Sequence, residues 1–452
     1  MNLVYGIKDR PRFGQVVLFA LQQLLAIMAA TIAVPAVVNS VTGSDMTASA
    51  ALFGAGFGSI VYLLCTKSAS PVFLGSSFAF LGPMFTAFGG AASMAVGYAG
   101  LIIGAAIAGL VYVIIAIIVK FCGVKWIDRL MPPVIIGPTV AIIGLSLAGN
   151  AIGDLMTSSV EGGSVYVCLI CGLVTLAVTV LTSTYGKNML KLIPFIIGIL
   201  AGYLCASIFA LIGKSTGNNA LTVINYSALQ NMGSVMSLPK FSFLKADWAG
   251  VNASYLLTLF VAYAPVAFVV FAEHLADHKN LSTIVGVNLL EEPGLTRTLL
   301  GDGIGSMVGA FFGGCPNTTY GESIATVAIT RNASSISIWG AAFACLIFSM
   351  ITPLVCFLET IPNCVMGGVC IALYGFIAAS GLKMLQPVDL NKNRNLFVAS
   401  VIFIVGVGGM TVSFGAVEIR TVACALILGI LTNIMLSGEK DEDPQSKVDL
   451  SK

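Results

Sequence analysis

The sequence predicts an all-α polytopic membrane protein of fourteen transmembrane segments, arranged as a 7+7 inverted repeat with two short antiparallel strands in segments 3 and 10. Three observations predict it. Of the 452 residues 57% are hydrophobic and 9% charged, with a mean hydropathy of +0.97, whereas a soluble domain carries roughly a quarter charged residues. Apolar runs near the ~20 residues that cross a hydrocarbon core of about 30 Å recur from end to end. The cationic residues alternate between connections as a membrane orientation requires.

The same composition excludes other classes. A net charge of +2 with no basic patch gives no reason to expect nucleic acid. The eleven cysteines are scattered singly through apolar segments, except Cys168 and Cys171, whose place inside an apolar helix points to helix contacts over redox or metal chemistry. Both histidines, His274 and His278, are expected in one loop, so neither a metal site nor a cofactor is expected. The N-terminal MNLVYGIKDRPRFG lacks the apolar core and small-residue cleavage site of a signal peptide.

The apolar segments lie near 14–38, 46–65, 71–88, 95–121, 126–150, 164–184, 191–213, 253–273, 299–314, 315–330, 336–359, 361–385, 394–414 and 417–436. With the N-terminus inside, every one of the 22 Lys and Arg residues falls on the inner side except Lys214, Lys240, Lys245 and Arg420. Both termini are therefore expected in the cytoplasm, with 437–452 as a cytoplasmic tail. The long polar connection, 214–248, divides the chain into seven plus seven segments. An odd number per half means that the second half starts from the opposite face, so a repeat must be inverted.

Segments 3 and 10 are the unusual pair, at corresponding positions in the two halves. SPVFLGSSFAFL (70–81) and CPNTTYGESIATVAITR (315–331) each place a proline, a few extended residues and a Gly/Ser-rich patch before an apolar run. Paired, interrupted segments of this kind are the strongest sequence pointer to a transporter's binding site. Six extended residues cover about 20 Å and ten helical ones about 15 Å, enough together to span a bilayer. Extended backbone at that depth must be buried in protein or line a cavity. Pro71–Ser76 and Pro316–Tyr320 are thus expected to pair, with half-helices starting near Ser77–Phe78 and Gly321–Glu322. The unpaired N–H groups of Phe78 and Gly321 would face the midplane as donors for a carbonyl oxygen.

A carboxylate inside a membrane segment is costly and points to function. Glu322 sits at a half-helix start. Glu273 closes the eighth apolar segment, where a solvated interfacial position explains it equally well on spacing alone. Asp128, Asp154, Glu359 and Glu418 read as interfacial, and Asp302 as a helix-end hydrogen-bonding group.

These residues resemble the nucleobase–ascorbate transporter family, and within it the bacterial uracil/proton symporters. The resemblance covers nearly the whole chain and is carried by LQQLLAIMAATIAVP (21–35), LGSSFAF (74–80), AEH (272–274), EEPGLTRTLLGDG (291–303) and GGCPNTTYGESIATVAITR (313–331). It implies a core domain of 14–121 and 253–359 moving against a gate domain of 126–213 and 361–436. It also implies a pyrimidine held between carboxylates matching Glu273 and Glu322. Backbone N–H groups at Phe78 and Gly321 would reach its carbonyl, with Ser77 and Tyr320 nearby. Family members often pair through the gate, so a homodimer is the corresponding expectation. Glutamate at 322 favours uracil, whose ring N–H donates to a carboxylate; purine carriers usually have glutamine there.

The chain departs from the family pattern at Ser323 and Ala325, where Asn and Gly are usual, and at Gln23 and Asp277, where the symporters tend to have histidine. Like-charge repulsion between Glu273 and Asp277 favours a shared proton, so this pair is the expected proton-coupling site. The resulting expectation is proton-coupled import of a nucleobase, uracil first, through the bilayer of the cytoplasmic membrane. A xanthine or uric acid carrier is the nearest alternative. An anion carrier using the half-helix starts directly is disfavoured by Glu322. A channel or enzyme has neither a filter ring nor a nucleophile–base pair to support it.

Overall fold

Apolar segments that leave water must pair their own backbone groups, and the chain does so almost entirely as helix. The computed structural model describes residues 3–123, 126, 131–187, 190–191, 193–230, 232–414 and 417–438. Asp128 and residues 439–452 of the expected tail lie outside these. The helices are α1 (Phe13–Thr42), α2 (Ala48–Cys65), α3 (Leu81–Gly89), α4 (Met94–Cys122), α5 (Pro133–Ser146), α6 (Ala148–Leu155), α7 (Val165–Tyr185) and α8 (Pro194–Thr216) in the first half. The second half holds α9 (Ala253–Val285), α10 (Leu295–Gly313), α11 (Gly321–Thr330), α12 (Ser335–Met350), α13 (Thr352–Glu359), α14 (Asn363–Met384), α15 (Asn393–Val407) and α16 (Thr421–Met435). Among the described residues, eight helical stretches are long and apolar enough to cross a membrane, with shorter apolar helices beside them.

Two short strands, β1 (Leu74–Ser76) and β2 (Asn317–Thr319), pair antiparallel with Leu74 opposite Thr319 and Ser76 opposite Asn317. This is the expected crossing of segments 3 and 10, confined to three residues on each side. The half-helix after β1 begins as a 3-10 turn at Phe78–Phe80 before α3 takes over. A second hairpin, β3 (Val412–Phe414) with β4 (Val417–Ile419), corrects the expectation of uninterrupted helix over 394–414. Gly408 and the left-handed Gly409 (φ 68°) stop the helix, and β-branched Thr411 and Val412 favour the extended backbone that follows. Segments 5 and 11 are each broken once, at Leu147 and at the extended Ile351.

The eighth segment is the largest correction. The apolar run ends at Glu273, yet α9 continues to Val285 over 33 residues. His274 and His278 are therefore not in a loop but helical and buried (0% and 1% exposed). Their polar atoms have partners on neighbouring helices, and this makes burial affordable. His274 Nδ1 meets Asp302 Oδ2 at 2.8 Å and its Nε2 meets Thr298 Oγ1 at 3.0 Å. His278 Nε2 lies 2.8 Å from the Tyr62 hydroxyl. Asp302, expected at a helix end, is instead inside α10 and paired to His274.

Around the strand pair, α2 packs on α10 and α12, α10 on α4, and α1 on α12. Separately, α14 packs on α5 and α7, α7 on α8, and α15 on α16 and α5. Small residues allow the closest approach: a Cβ on Gly54 of α2 would come within 2.5 Å of the Gly309 carbonyl of α10. The long polar connection lies across both groups. Ser164 N donates to Ala220 O at 2.8 Å, and Thr352 N donates to Val235 O at 3.0 Å. Phe241 and Phe243 then insert among Phe53, Phe311 and Phe312.

Candidate functional site

The crossing of β1 and β2 is fixed by side chains that satisfy its unpaired backbone groups. Ser59 Oγ accepts from Leu74 N at 2.9 Å, and Asn317 Nδ2 donates to Gly54 O at 3.0 Å, which tie the strands to α2. The Tyr320 hydroxyl donates to Ser76 O at 2.6 Å. Ser323 Oγ accepts from Phe73 N at 3.0 Å, and Gln23 Nε2 donates to Ser323 O at 3.3 Å. The hydroxyl of Ser323, one of the departures from the resembled pattern, thus ties the two segments by a side-chain-to-backbone bond. Gly75 has a packing reason of its own, because a Cβ there would meet the Tyr320 ring at 2.5 Å.

From this crossing α3 and α11 lead away, each starting at the strand pair. Neither Ser77 before Phe78 nor Tyr320 before Gly321 caps its helix with a side chain. The first-turn N–H groups stay available, and the positive ends of both helices face the same space. Gly321 is exposed to that space and a Cβ on it would touch nothing within 4 Å.

The space is a cavity of about 440 Å³, within the range of small-molecule sites. Ser77, Phe78, Tyr320, Gly321, Glu322, Glu273 and Asp277 all line it. The structure therefore brings every sequence-derived site residue to one place. Glu273 and Asp277 reach it from successive turns of α9, and Asp277 Oδ2 accepts from Thr319 Oγ1 at 2.8 Å. The buried Ser77 hydroxyl has no protein partner. The lining also includes apolar residues of α14 and α8, Leu373, Phe376 and Phe195, and the cations Lys191 and Lys383.

Sequence reasoning missed this apolar wall and the Thr319–Asp277 bond. Leu373 and Phe376 sit in an evenly hydrophobic helix whose periodicity marks no face, and a three-residue strand is too short to show which side Thr319 takes. His274 and Asp302 do not line the cavity but lie behind it, with Thr318, a lining residue, 3.5 Å from Asp302 Oδ2. Among the described residues no group of three or more His, Cys, Asp or Glu is placed to hold a metal.

Interrupted half-helices meeting at a polar cavity inside an apolar helical body define a multi-pass membrane carrier. The chain belongs to the Permease family, which it matches over residues 14–414, and so to the nucleobase–ascorbate transporters it was expected to resemble. It is 38% identical over 438 residues to the uracil permease of Bacillus caldolyticus, covering 96% of this chain and 95% of that protein. The uracil permease of Bacillus subtilis (strain 168) is 36% identical over 447 residues, 97% and 96% of the two chains. Among solved structures, the transmembrane domain of the cyanobacterial bicarbonate transporter BicA superposes with a TM-score of 0.61 at 15% identity, covering 94% of this chain and 99% of that one. That likeness is one of fold.

Proposed function

We propose that this chain imports a nucleobase, uracil in first place, together with a proton across the cytoplasmic membrane. The observation that carries the reading is the meeting of Glu273 and Glu322 with the uncapped starts of two half-helices in one cavity. A pyrimidinedione edge alternates carbonyl oxygens with ring N–H. The carboxylates accept from the N–H, while the Phe78 and Gly321 N–H groups donate to carbonyl oxygen. Tyr320 braces the crossing, and Ser77 offers a free hydroxyl. The names of the two Bacillus relatives support the same substrate.

Glu273, coupled to Asp277 one turn away, is the proton-carrying site. Two carboxylates this close share protons as a unit. Substrate binding is favoured with the pair protonated, and release of both follows when the cavity opens inward. The two packed groups of helices support a core of 14–121 and 253–359 that moves against a gate of 126–213 and 361–436, in fourteen spans of 7+7 with both termini cytoplasmic. On this reading Lys191 and Lys383 mark the inner mouth, and the gate is the surface for a homodimer. An anion cargo is disfavoured, since three carboxylates line the cavity.

Competition and uncoupling test the reading together. Uptake of labelled uracil should be blocked by unlabelled uracil, spared by xanthine and uric acid, and collapsed by a proton uncoupler. Preference for xanthine would move the substrate, and indifference to the uncoupler would remove the proton.

A further inference from the structure

A second cavity, of about 260 Å³, lies against the far side of the substrate cavity. Phe78, Ala79 and Ile143 line both. The two spaces therefore stand end to end between the same groups of helices, divided by a thin wall. Phe78, one of the shared residues, meets the Tyr374 ring of α14 edge-on, with centroids 5.8 Å apart. The first cavity runs toward Lys191 and Lys383, whereas the second is bounded by Val41, Asn150 and Arg420, at the opposite end of the molecule.

The chemistry of the second cavity complements that of the first. No Asp or Glu lines it among the described residues; its polar groups are Arg420, Asn150, Thr86, Ser146 and Thr421. These include the one cation of the set and a primary amide, both donors to carbonyl oxygen. Its apolar surfaces come from Phe85, Pro83, Leu147 and Val266. It suits a flat, uncharged heterocycle with exocyclic carbonyls. The substrate cavity, with its three carboxylates, reads the N–H groups of such a ring.

We propose that this second cavity is an outer subsite for the transported base, where Arg420 and Asn150 hold carbonyl oxygens before the Phe78–Ile143 wall parts. The assignment rests on the transport reading above, which makes this end the outer one. Occupancy here raises the local concentration of substrate at the wall, so losing the site shows as a higher KM for uptake. It leaves intact the affinity of the inner cavity, which ligand reaches from the other mouth.

The test compares wild type with Arg420→Gln and Asn150→Leu in two measurements: initial-rate uptake of labelled uracil by cells, and equilibrium binding of labelled uracil to the purified protein. Each variant is expected to raise KM about 10-fold, the effect of one lost hydrogen bond to a buried polar partner, with the binding constant of the purified protein within about 2-fold of wild type. Asn150 separates a subsite from a latch, because the Arg420 guanidinium also approaches Gly89 at the end of α3. An unchanged KM in both variants, an effect of Arg420→Gln alone, or a binding constant that weakens in parallel with KM would each overturn the subsite. Absence of uracil uptake by wild type would instead bring down the transport reading, and this proposal with it.

Discussion

The Tyr320 hydroxyl donates to the carbonyl oxygen of Ser76 at 2.6 Å, a side-chain bond that reinforces the strand pairing between two segments more than 240 residues apart in the chain. Both residues are buried, so neither group has water to fall back on. Tyr320→Phe keeps the ring against Gly75 and removes only the donor. It should cost about 1–3 kcal/mol through the unsatisfied carbonyl, read as a lower thermal unfolding midpoint of the purified protein. An unchanged midpoint would show that the crossing does not depend on this bond.

Ser323 makes a similar prediction by a different atom. Its hydroxyl is the acceptor for Phe73 N, inside the protein with 0% exposure. Ser323→Ala should lose about 1–2 kcal/mol of stability, while Ser323→Asn should restore an acceptor. Comparable unfolding midpoints for the alanine variant and wild type would contradict the assignment.

The His274–Asp302 pair predicts a contrast between two substitutions. Removing one partner of this buried hydrogen bond leaves the other polar group unsatisfied, at a cost of about 1–3 kcal/mol. Asp302→Ala should therefore reduce the yield of folded protein sharply. Asp302→Asn keeps an oxygen for His274 and should fold. Equal yields of the two variants, measured by size-exclusion chromatography after extraction, would place no such demand on Asp302.

Between the loop after α1 and the long polar connection, Lys245 Nζ lies 2.8 Å from Asp45 Oδ2, and its hydrogen bond lowers the Asp45 pKa from its ordinary value of 3.8. A depressed carboxyl contributes stability above its unfolded pKa and loses it as pH falls through the folded one. The contribution is thus constant over pH 5–8 and fades only in strong acid. The Asp45 side chain is 75% exposed, so Lys245→Ala should cost less than about 1 kcal/mol and leave the pH profile of uptake over pH 5–8 unchanged. A shift of that profile would show that the pair does more than fasten a loop.

Much of this was legible in the sequence because membrane segments announce themselves by composition and by the placing of charge. The strand pair was readable too, since Pro71 and Pro316 each precede a run too short for helix alone to cross a bilayer. What sequence could not show was how far polar residues continue a helix. His274 and His278 look like loop residues until Asp302, Thr298 and Tyr62, from other helices, appear beside them. The hairpin at 412–419 was hidden for the converse reason, its apolar residues suiting strand and helix alike. At the site, the local pattern marked Glu322 and Gly321 directly. Glu273 was ambiguous until α9 was seen to continue past it and carry it to the same cavity.

The most direct test of the central claim is uptake of radiolabelled uracil into cells lacking their own carrier, comparing wild type with Glu322→Gln at matched membrane abundance. The account predicts strong wild-type uptake and a loss of about 10- to 100-fold in kcat/KM for the variant, the cost of replacing a charged acceptor by a neutral amide. Uptake by Glu322→Gln equal to wild type, or none by either protein, would contradict it.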